Sequence, residues 1–214
     1  ILMIAPEGWV FVWTPVCLGG LALFLGWSVV GWPLIAFGAF AIFFFRDPDR
    51  HCDHGANVAC SPADGKVIVV GSAPDQLAEE GLPRQISVFM SVFNVHVNRA
   101  PIDGELKEYS YNKGRKFSAF KEKASLENEQ NLSVWQGSVG RIALKQIAGL
   151  IARRIVFDHR PGDTVTRGDR IGLIRYGSRV DVFLPDDAEI LVRVGDRVKA
   201  GESPLAIFGR PTES

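Results

Sequence analysis

The sequence predicts a mainly β (α+β) fold: a pseudo-repeated β domain preceded by an apolar helical hairpin. Three observations carry this. A long uncharged stretch opens the chain, and almost all of the charge follows it. Short apolar or alternating runs, separated by Gly, Pro and Asp, fill the rest. A turn-strand-turn pattern then occurs twice near the C-terminus. The 214 residues include 24 Lys and Arg against 24 Asp and Glu, a net charge of zero. That length suits one ordinary domain with an added element, and the balanced charge gives no bulk reason to bind nucleic acid.

Residues 1–45 read as a membrane-anchoring segment. No charged residue lies between Glu7 and Arg46, and the stretch is rich in Trp, Leu, Val, Ile and Phe. As a single helix, residues 8–45 would extend about 57 Å, nearly twice a hydrocarbon core of about 30 Å. Two short helices fit better, and the break is expected at Gly31-Trp32-Pro33, where proline lacks the amide proton that continues a helix. Trp9, Trp13, Trp27 and Trp32 fall towards segment ends, where indoles favour an interface. There is no basic leader region, and the apolar run is too long for a cleaved signal peptide. A buried core hairpin is the alternative reading. Arg46 and Arg50 close the segment, and the positive-inside rule puts the following region on the cytoplasmic side of a cell membrane.

Residues 46–214 read as the β-rich domain. His51-Cys52-Asp53-His54 with Cys60 fits no zinc template, so a polar linker is expected and no metal. The three cysteines, Cys17, Cys52 and Cys60, suggest no disulfide framework. Ser61-Pro62-Ala63-Asp64-Gly65 leads through a tight turn into a strand beginning near Lys66, and Asp64 could do no more than close that turn. Strands are expected at Gln85–Met90 and Glu105–Tyr111. His96 lies between two valines, a setting more often structural than chemical. Lys113, Arg115 and Lys116 interleave with Phe117 and Phe120; the segment is either a solvated loop or a surface for anionic lipid or substrate. Residues 141–156 mix helical and strand periods.

The C-terminal part repeats itself. Gly162-Asp163-Thr164-Val165 returns 33 positions later as Gly195-Asp196-Arg197-Val198. Two copies are too few for a solenoid and suggest two pseudo-symmetric β halves, in a pattern that resembles the barrel-sandwich architecture of carrier domains. Between the copies stands Tyr176-Gly177-Ser178-Arg179-Val180-Asp181-Val182. Here an apolar run gives way to an alternating one across a flexible glycine and a hydroxyl. Such a junction is either an ordinary turn or a strained site for a nucleophile.

Taken together, Ile4-Ala5-Pro6-Glu7-Gly8, Phe44-Phe45-Arg46-Asp47-Pro48, Ser61-Pro62-Ala63-Asp64-Gly65, Asn94 to Pro101, Glu127-Asn128-Glu129 and Tyr176 to Val182 resemble the short, pyruvoyl-dependent type of phosphatidylserine decarboxylase proenzyme and the related archaetidylserine decarboxylases. The resemblance covers nearly the whole chain. It implies autocatalytic serinolysis between Gly177 and Ser178, giving a large chain, 1–177, and a small chain, 178–214, that remain together as a heterodimer with a higher oligomer left open. It implies that Ser178 becomes the pyruvoyl group, the sole cofactor, without metal or pyridoxal phosphate, and that this group forms a Schiff base with the substrate. His96 is the implied proton-transfer residue and Asp64 the orienting residue for self-cleavage. The longer relatives carry a second histidine where this chain has Arg99, so His159 stands beside His96 as a candidate base. The implied activity is a carboxy-lyase reaction, phosphatidylserine to phosphatidylethanolamine with release of CO2, in phospholipid biosynthesis. The alternative is a non-enzymatic, membrane-tethered carrier-like β-sandwich module, which would leave Gly177-Ser178 without a role.

Overall fold

The computed structural model describes residues 3–114, 128–149, 154–175 and 178–209. The chain divides into two compact units, Ile1–Asp49 and Arg50–Ser214.

In the first unit a 3-10 turn, Pro6–Gly8, leads into α1 (Trp9–Phe24), which is followed by α2 (Ser28–Phe44). Two short strands, β1 (Met3–Ile4) and β2 (Arg46–Asp47), pair antiparallel beside the helix ends. The two apolar helices form the expected hairpin, but it does not turn at Gly31-Trp32-Pro33. The turn is at Gly26, whose φ of 81° is one that glycine tolerates. The Trp27 amide donates to the Ala22 carbonyl (2.7 Å) and the Gly26 amide to the Leu23 carbonyl (3.0 Å). This pair of bonds, a Schellman ending, satisfies carbonyls that the helix leaves open. Gly31 instead serves helix packing: a Cβ there would lie 2.5 Å from Leu23 Cγ and 2.9 Å from the Gly19 carbonyl oxygen. Pro33 is accommodated inside α2. The segment Pro6–Phe24, 19 residues with a mean hydropathy of 1.4, is long and apolar enough to cross a membrane; Ser28–Phe44 is shorter. Trp9, Trp13, Trp27 and Trp32 are all exposed.

The second unit is built almost wholly of strands: β3 (Val58–Cys60), β4 (Gly65–Ser72), β5 (Arg84–Met90), β6 (Val97–Arg99), β7 (Gly104–Asn112), β8 (Gln130–Gly137), β9 (Gly140–Ala148), β10 (Ile155–Phe157), β11 (Thr164–Val165), β12 (Arg170–Ile174), β13 (Ser178–Leu184), β14 (Glu189–Ile190), β15 (Arg197–Val198) and β16 (Pro204–Ile207), with one short helix, α3 (Asp75–Glu79). The first half of the stretch with mixed periodicity, residues 141–148, lies in β9, where both faces are covered and alternation is lost. An eight-stranded sheet runs in the order β11-β7-β8-β9-β13-β5-β4-β15, and two three-stranded sheets run β10-β12-β6 and β14-β16-β3. Among the described residues the large sheet does not close into a barrel.

The repeat organises this unit. β11 pairs with β7 at one edge of the large sheet, and β15 pairs with β4 at the other. The turns before the two edge strands use the same bonds. Asp163 Oδ2 accepts from the Arg160 amide and Asp196 Oδ2 from the Arg193 amide, each at 2.8 Å. The Gly162 amide donates to Leu106 (2.8 Å) and the Gly195 amide to Val67 (2.9 Å). The two halves meet where β9 pairs with β13. Val67, Val88, Leu106, Trp135, Ile142, Leu144, Val180 and Val182 share the main core. A smaller cluster of Leu77, Leu82, Val134, Ala143 and Phe183 forms beside α3.

Cys52 and Cys60 are joined as a disulfide, with Cα atoms 6.5 Å apart, where the sequence suggests no disulfide framework; Cys17 is free. The 52–58 segment is not a slack linker. Arg167 donates to the carbonyls of Cys52, His54, Gly55 and Val58, and His54 Nε2 lies 3.1 Å from the Glu202 carbonyl.

Candidate active site

Strand pairing sets the site. β13 is central in the large sheet, between β5 and β9, and Ser178 is its first described residue, opposite Met90 on one side and Ala148 on the other. The Ser178 side chain is fully buried, and its hydroxyl donates to Met90 Sδ at 3.3 Å. A thioether is a weak acceptor, so this bond holds the hydroxyl only lightly. Gly177 lies outside the described residues, as do Arg115, Lys116, Phe117 and Phe120 of the basic aromatic segment; Lys113 is described and exposed.

Met90 connects Ser178 to the other motif segments. Asn98 Nδ2 donates to the Pro62 carbonyl (3.3 Å) and contacts Met90 Sδ (3.7 Å). The Arg99 amide donates to the same Pro62 carbonyl at 3.0 Å. The 61–65, 94–101 and 178–182 segments, separate in sequence, therefore converge at the beginning of β13. Behind Asn98 runs a buried amide relay: Gln146 Nε2 donates to Asn98 Oδ1 (2.7 Å), and Asn131 Nδ2 donates to Gln146 Oε1 (2.8 Å). Buried amides linked in this way hold one another in fixed orientations. Asn128 Nδ2 donates to the carbonyl of Ala148, the residue opposite Ser178, at 2.6 Å.

His96 is fully buried just before β6. Its Nδ1 lies 2.9 Å from the Asn94 carbonyl. A carbonyl only accepts, so Nδ1 carries the hydrogen and Nε2 is the basic nitrogen of the neutral ring. Asn94 is fixed in turn, because Ser91 donates to its Oδ1 from both the amide (2.9 Å) and the hydroxyl (2.7 Å). The His96 carbonyl accepts from the Ile174 amide at 3.2 Å.

Asp64 is 7 % exposed at the start of β4. Its Oδ1 accepts from the Ala200 amide (2.8 Å), and its Oδ2 is 3.4 Å from Arg50 Nη2. Gly65 is required beside it, since a Cβ would come 2.1 Å from the Phe89 carbonyl oxygen. Asp64 is thus held by a cation and an amide as well as closing a turn. Arg50, which also pairs with Glu202 at 2.9 Å, carries no motif signal that would reveal this role in the sequence.

His159 and Arg99 have other surroundings. His159 packs against Trp135 and Phe157, and its Nε2 is 3.2 Å from the Arg170 carbonyl. Arg99 Nη1 donates to the Gly168 carbonyl at 2.9 Å, clamping the turn before β12. Next to Ser178, on the opposite face of β13, Arg179 and Asp181 form a buried ion pair, and Arg179 Nη2 donates to Ser87 Oγ at 3.0 Å. Burial raises the Asp181 carboxyl, and Arg179 opposes that shift. Burial also lowers the Lys145 ammonium, on the strand position opposite Asp181.

The family model for phosphatidylserine decarboxylase matches residues 37–206. The chain is 46 % identical over 206 residues to the phosphatidylserine decarboxylase proenzyme of Syntrophotalea carbinolica, covering 96 % of each chain. It is 48 % identical over 194 residues to that of Solibacter usitatus, covering 87 % of this chain and 91 % of the relative. With that of Syntrophus aciditrophicus it shares 50 % identity over 173 residues, 79 % of this chain and 80 % of the relative.

Proposed function

The chain belongs to the phosphatidylserine decarboxylase family, and on that premise we propose how its residues mature and carry out the reaction. The activity is carboxy-lyase: phosphatidylserine loses CO2 and becomes phosphatidylethanolamine. The chain is a precursor. Its 1–45 segment anchors it at the membrane, the 46–214 domain faces the cytoplasm, and it separates between Gly177 and Ser178 into a 1–177 and a 178–214 chain that stay associated. The observation that carries this reading is the convergence of the Asp64, His96 and Ser178 segments on Met90 and Asn98.

Maturation begins with the Ser178 hydroxyl. Its attack on the Gly177 carbonyl carbon replaces the peptide C–N bond with an ester and leaves Ser178 with a free amine. Loss of the Ser178 α-proton then expels the Gly177 carboxylate, and hydrolysis of the resulting dehydroalanine releases ammonia. A base must take the hydroxyl proton, and His96 is assigned that task through Nε2, because the Asn94 carbonyl fixes its tautomer. Asp64, held by Arg50 and the Ala200 amide, supplies a fixed negative charge that favours the imidazolium formed in that step. A serine-derived group fits this location: the buried start of a central strand keeps the new terminus ordered and away from bulk water.

The pyruvoyl group made from Ser178 supplies the electron sink that decarboxylation of an amino acid needs. His96 delivers the proton to the substrate α-carbon after CO2 leaves, a contribution of roughly 10²- to 10⁴-fold for a positioned acid. Mass spectrometry of purified protein is expected to give two chains of residues 1–177 and 178–214, the smaller beginning with pyruvoyl, and lipid analysis of cells expressing it to show phosphatidylethanolamine formed from phosphatidylserine. An active preparation whose chain is intact and whose Ser178 is unmodified would overturn the assignment.

A further inference from the structure

At the end of the large sheet nearest Ser178 lies a cleft of about 630 Å³, lined by Asp64, Lys66, Ser91, Asn94, Arg197 and Lys199 among others. Its inner wall belongs to the site already described. Ser91 follows Met90, the strand partner of Ser178, and Asn94 holds His96. Its outer wall is cationic. Lys66 and Arg197 stand directly opposite each other across β4 and β15. Both side chains are exposed, and neither has a carboxylate partner among the described residues. Lys199 adds a third positive charge, partly matched by Glu202 at 3.5 Å.

Like charges directly opposite on a sheet destabilise it, and the fold does not demand them here. At the equivalent place on the other edge the pair is Glu105 and Thr164, and Glu105 has its own cation, Lys107, at 2.7 Å. A cationic pair maintained at one edge only, and in a cleft where the field is focused, calls for an anion from outside the chain. In a serine phospholipid the reacting α-carbon is separated from the phosphodiester by only a methylene and an oxygen. An anion is therefore presented just beyond the reacting atoms.

We propose that Lys66 and Arg197, assisted by Lys199, bind the phosphodiester of the lipid headgroup and so set the reach of the substrate towards Ser178. The proposal rests on the decarboxylase reading. The anion is the lipid's own phosphate: it enters with the substrate and leaves with the product.

The test uses the mature full-length enzyme and a short-chain phosphatidylserine that stays monomeric in water, so that attraction to an anionic surface plays no part. Lys66→Gln/Arg197→Gln is expected to self-cleave into two chains and to raise KM by about tenfold or more, the scale of losing a charge-assisted hydrogen bond, with a smaller change in kcat. Lys66→Arg/Arg197→Lys keeps KM near the wild-type value. The single variants Lys66→Gln and Arg197→Gln give the same effect at reduced size and serve if the double variant fails to mature. Glycerophosphoserine competes with substrate in the wild type more strongly than inorganic phosphate at equal concentration. An unchanged KM in the Gln variants, or equal competition by inorganic phosphate, overturns the headgroup subsite while leaving the reaction intact. A wild-type protein that does not decarboxylate overturns the reaction and the subsite together.

Discussion

The two halves of the large sheet use the same parts to different ends. In one half β8 and β9 are joined by a tight hairpin, with Gly137 opposite Gly140. In the other, β5 and β13 pair in the same way, but the chain does not turn between them. Met90 and Ser178 stand opposite each other 88 residues apart in sequence. Counting back along the registers, Ser178 matches Gly140, Arg179 matches Arg141, Asp64 matches Asp103, and Gly65 matches Gly104. Asp103 Oδ1 accepts from the Arg167 amide at 2.7 Å, much as Asp64 Oδ1 accepts from Ala200. The aspartate-to-amide bond is therefore a device of the fold. What distinguishes the Asp64 half is what has been added to it: Arg50 on the carboxylate, a strand that begins at Ser178 where its counterpart has a hairpin, and a buried arginine beside that serine. The proposed site lies where the symmetry is broken.

Substitutions in matched pairs test this difference. The largest expected effect is at Ser178 itself. Ser178→Ala remains a single chain on denaturing electrophoresis and forms no phosphatidylethanolamine, whereas Gly140→Ala, at a φ of 134°, lowers stability but still cleaves. Detectable turnover by purified Ser178→Ala would break the assignment.

The second pair is Arg179 and Arg141. Arg179→Met leaves Asp181 buried without its cation and is expected to cost about 3–5 kcal/mol in denaturant unfolding. Arg141 lies on the surface, with Glu108 at 3.1 Å and Glu80 at 3.6 Å, and Arg141→Met should cost less than about 1 kcal/mol. Equal costs would mean that the two positions differ less in burial than described.

Gly65→Ala and Gly104→Ala follow. The added Cβ would meet the Phe89 carbonyl oxygen at 2.1 Å in one and the Gln136 carbonyl oxygen at 2.9 Å in the other. The unfolding free energy should fall in both, more for Gly65→Ala, by about 1–3 kcal/mol. Asp103→Asn, at an exposed position, is also expected to cost about 1 kcal/mol or less, with maturation unaffected. Asp64→Asn carries a similar stability cost, but pulse-chase measurement should show slowed appearance of the 178–214 chain. Equal cleavage rates in these two variants would remove Asp64 from maturation.

Much of this was legible in the sequence for identifiable reasons. The helical hairpin follows from an uncharged run too long for one span, and the edge strands β11 and β15 follow from a repeated Gly-Asp turn. Ser178 stands out because a glycine and a hydroxyl interrupt two strand-like runs. The position of the turn between the helices is not legible, because Gly31 and Pro33 look like breakers, whereas Gly31 lets α1 and α2 approach and the chain turns at Gly26. The Cys52–Cys60 pairing is not legible either, because two cysteines eight residues apart carry no framework signal. Pro62-Ala63-Asp64-Gly65 and Pro101-Ile102-Asp103-Gly104 are a further internal likeness, too short to stand out without the strand registers that align them. The roles of Asn98, Gln146 and Met90 had no local signature, because each acts through a partner distant in the chain.

The sequence by itself determined the apolar helical segment, the doubled β pattern and the side chains from which the proposed site is drawn, because periodicity, turn residues and side-chain type are local properties. Tertiary structure alone decided which residues face one another. It brought Asn98 to Met90 and Ser178, set Arg50 on Asp64, and placed Lys66 opposite Arg197 from 131 positions away. Strand register makes those choices, and register is a property of pairs of segments that no single segment contains.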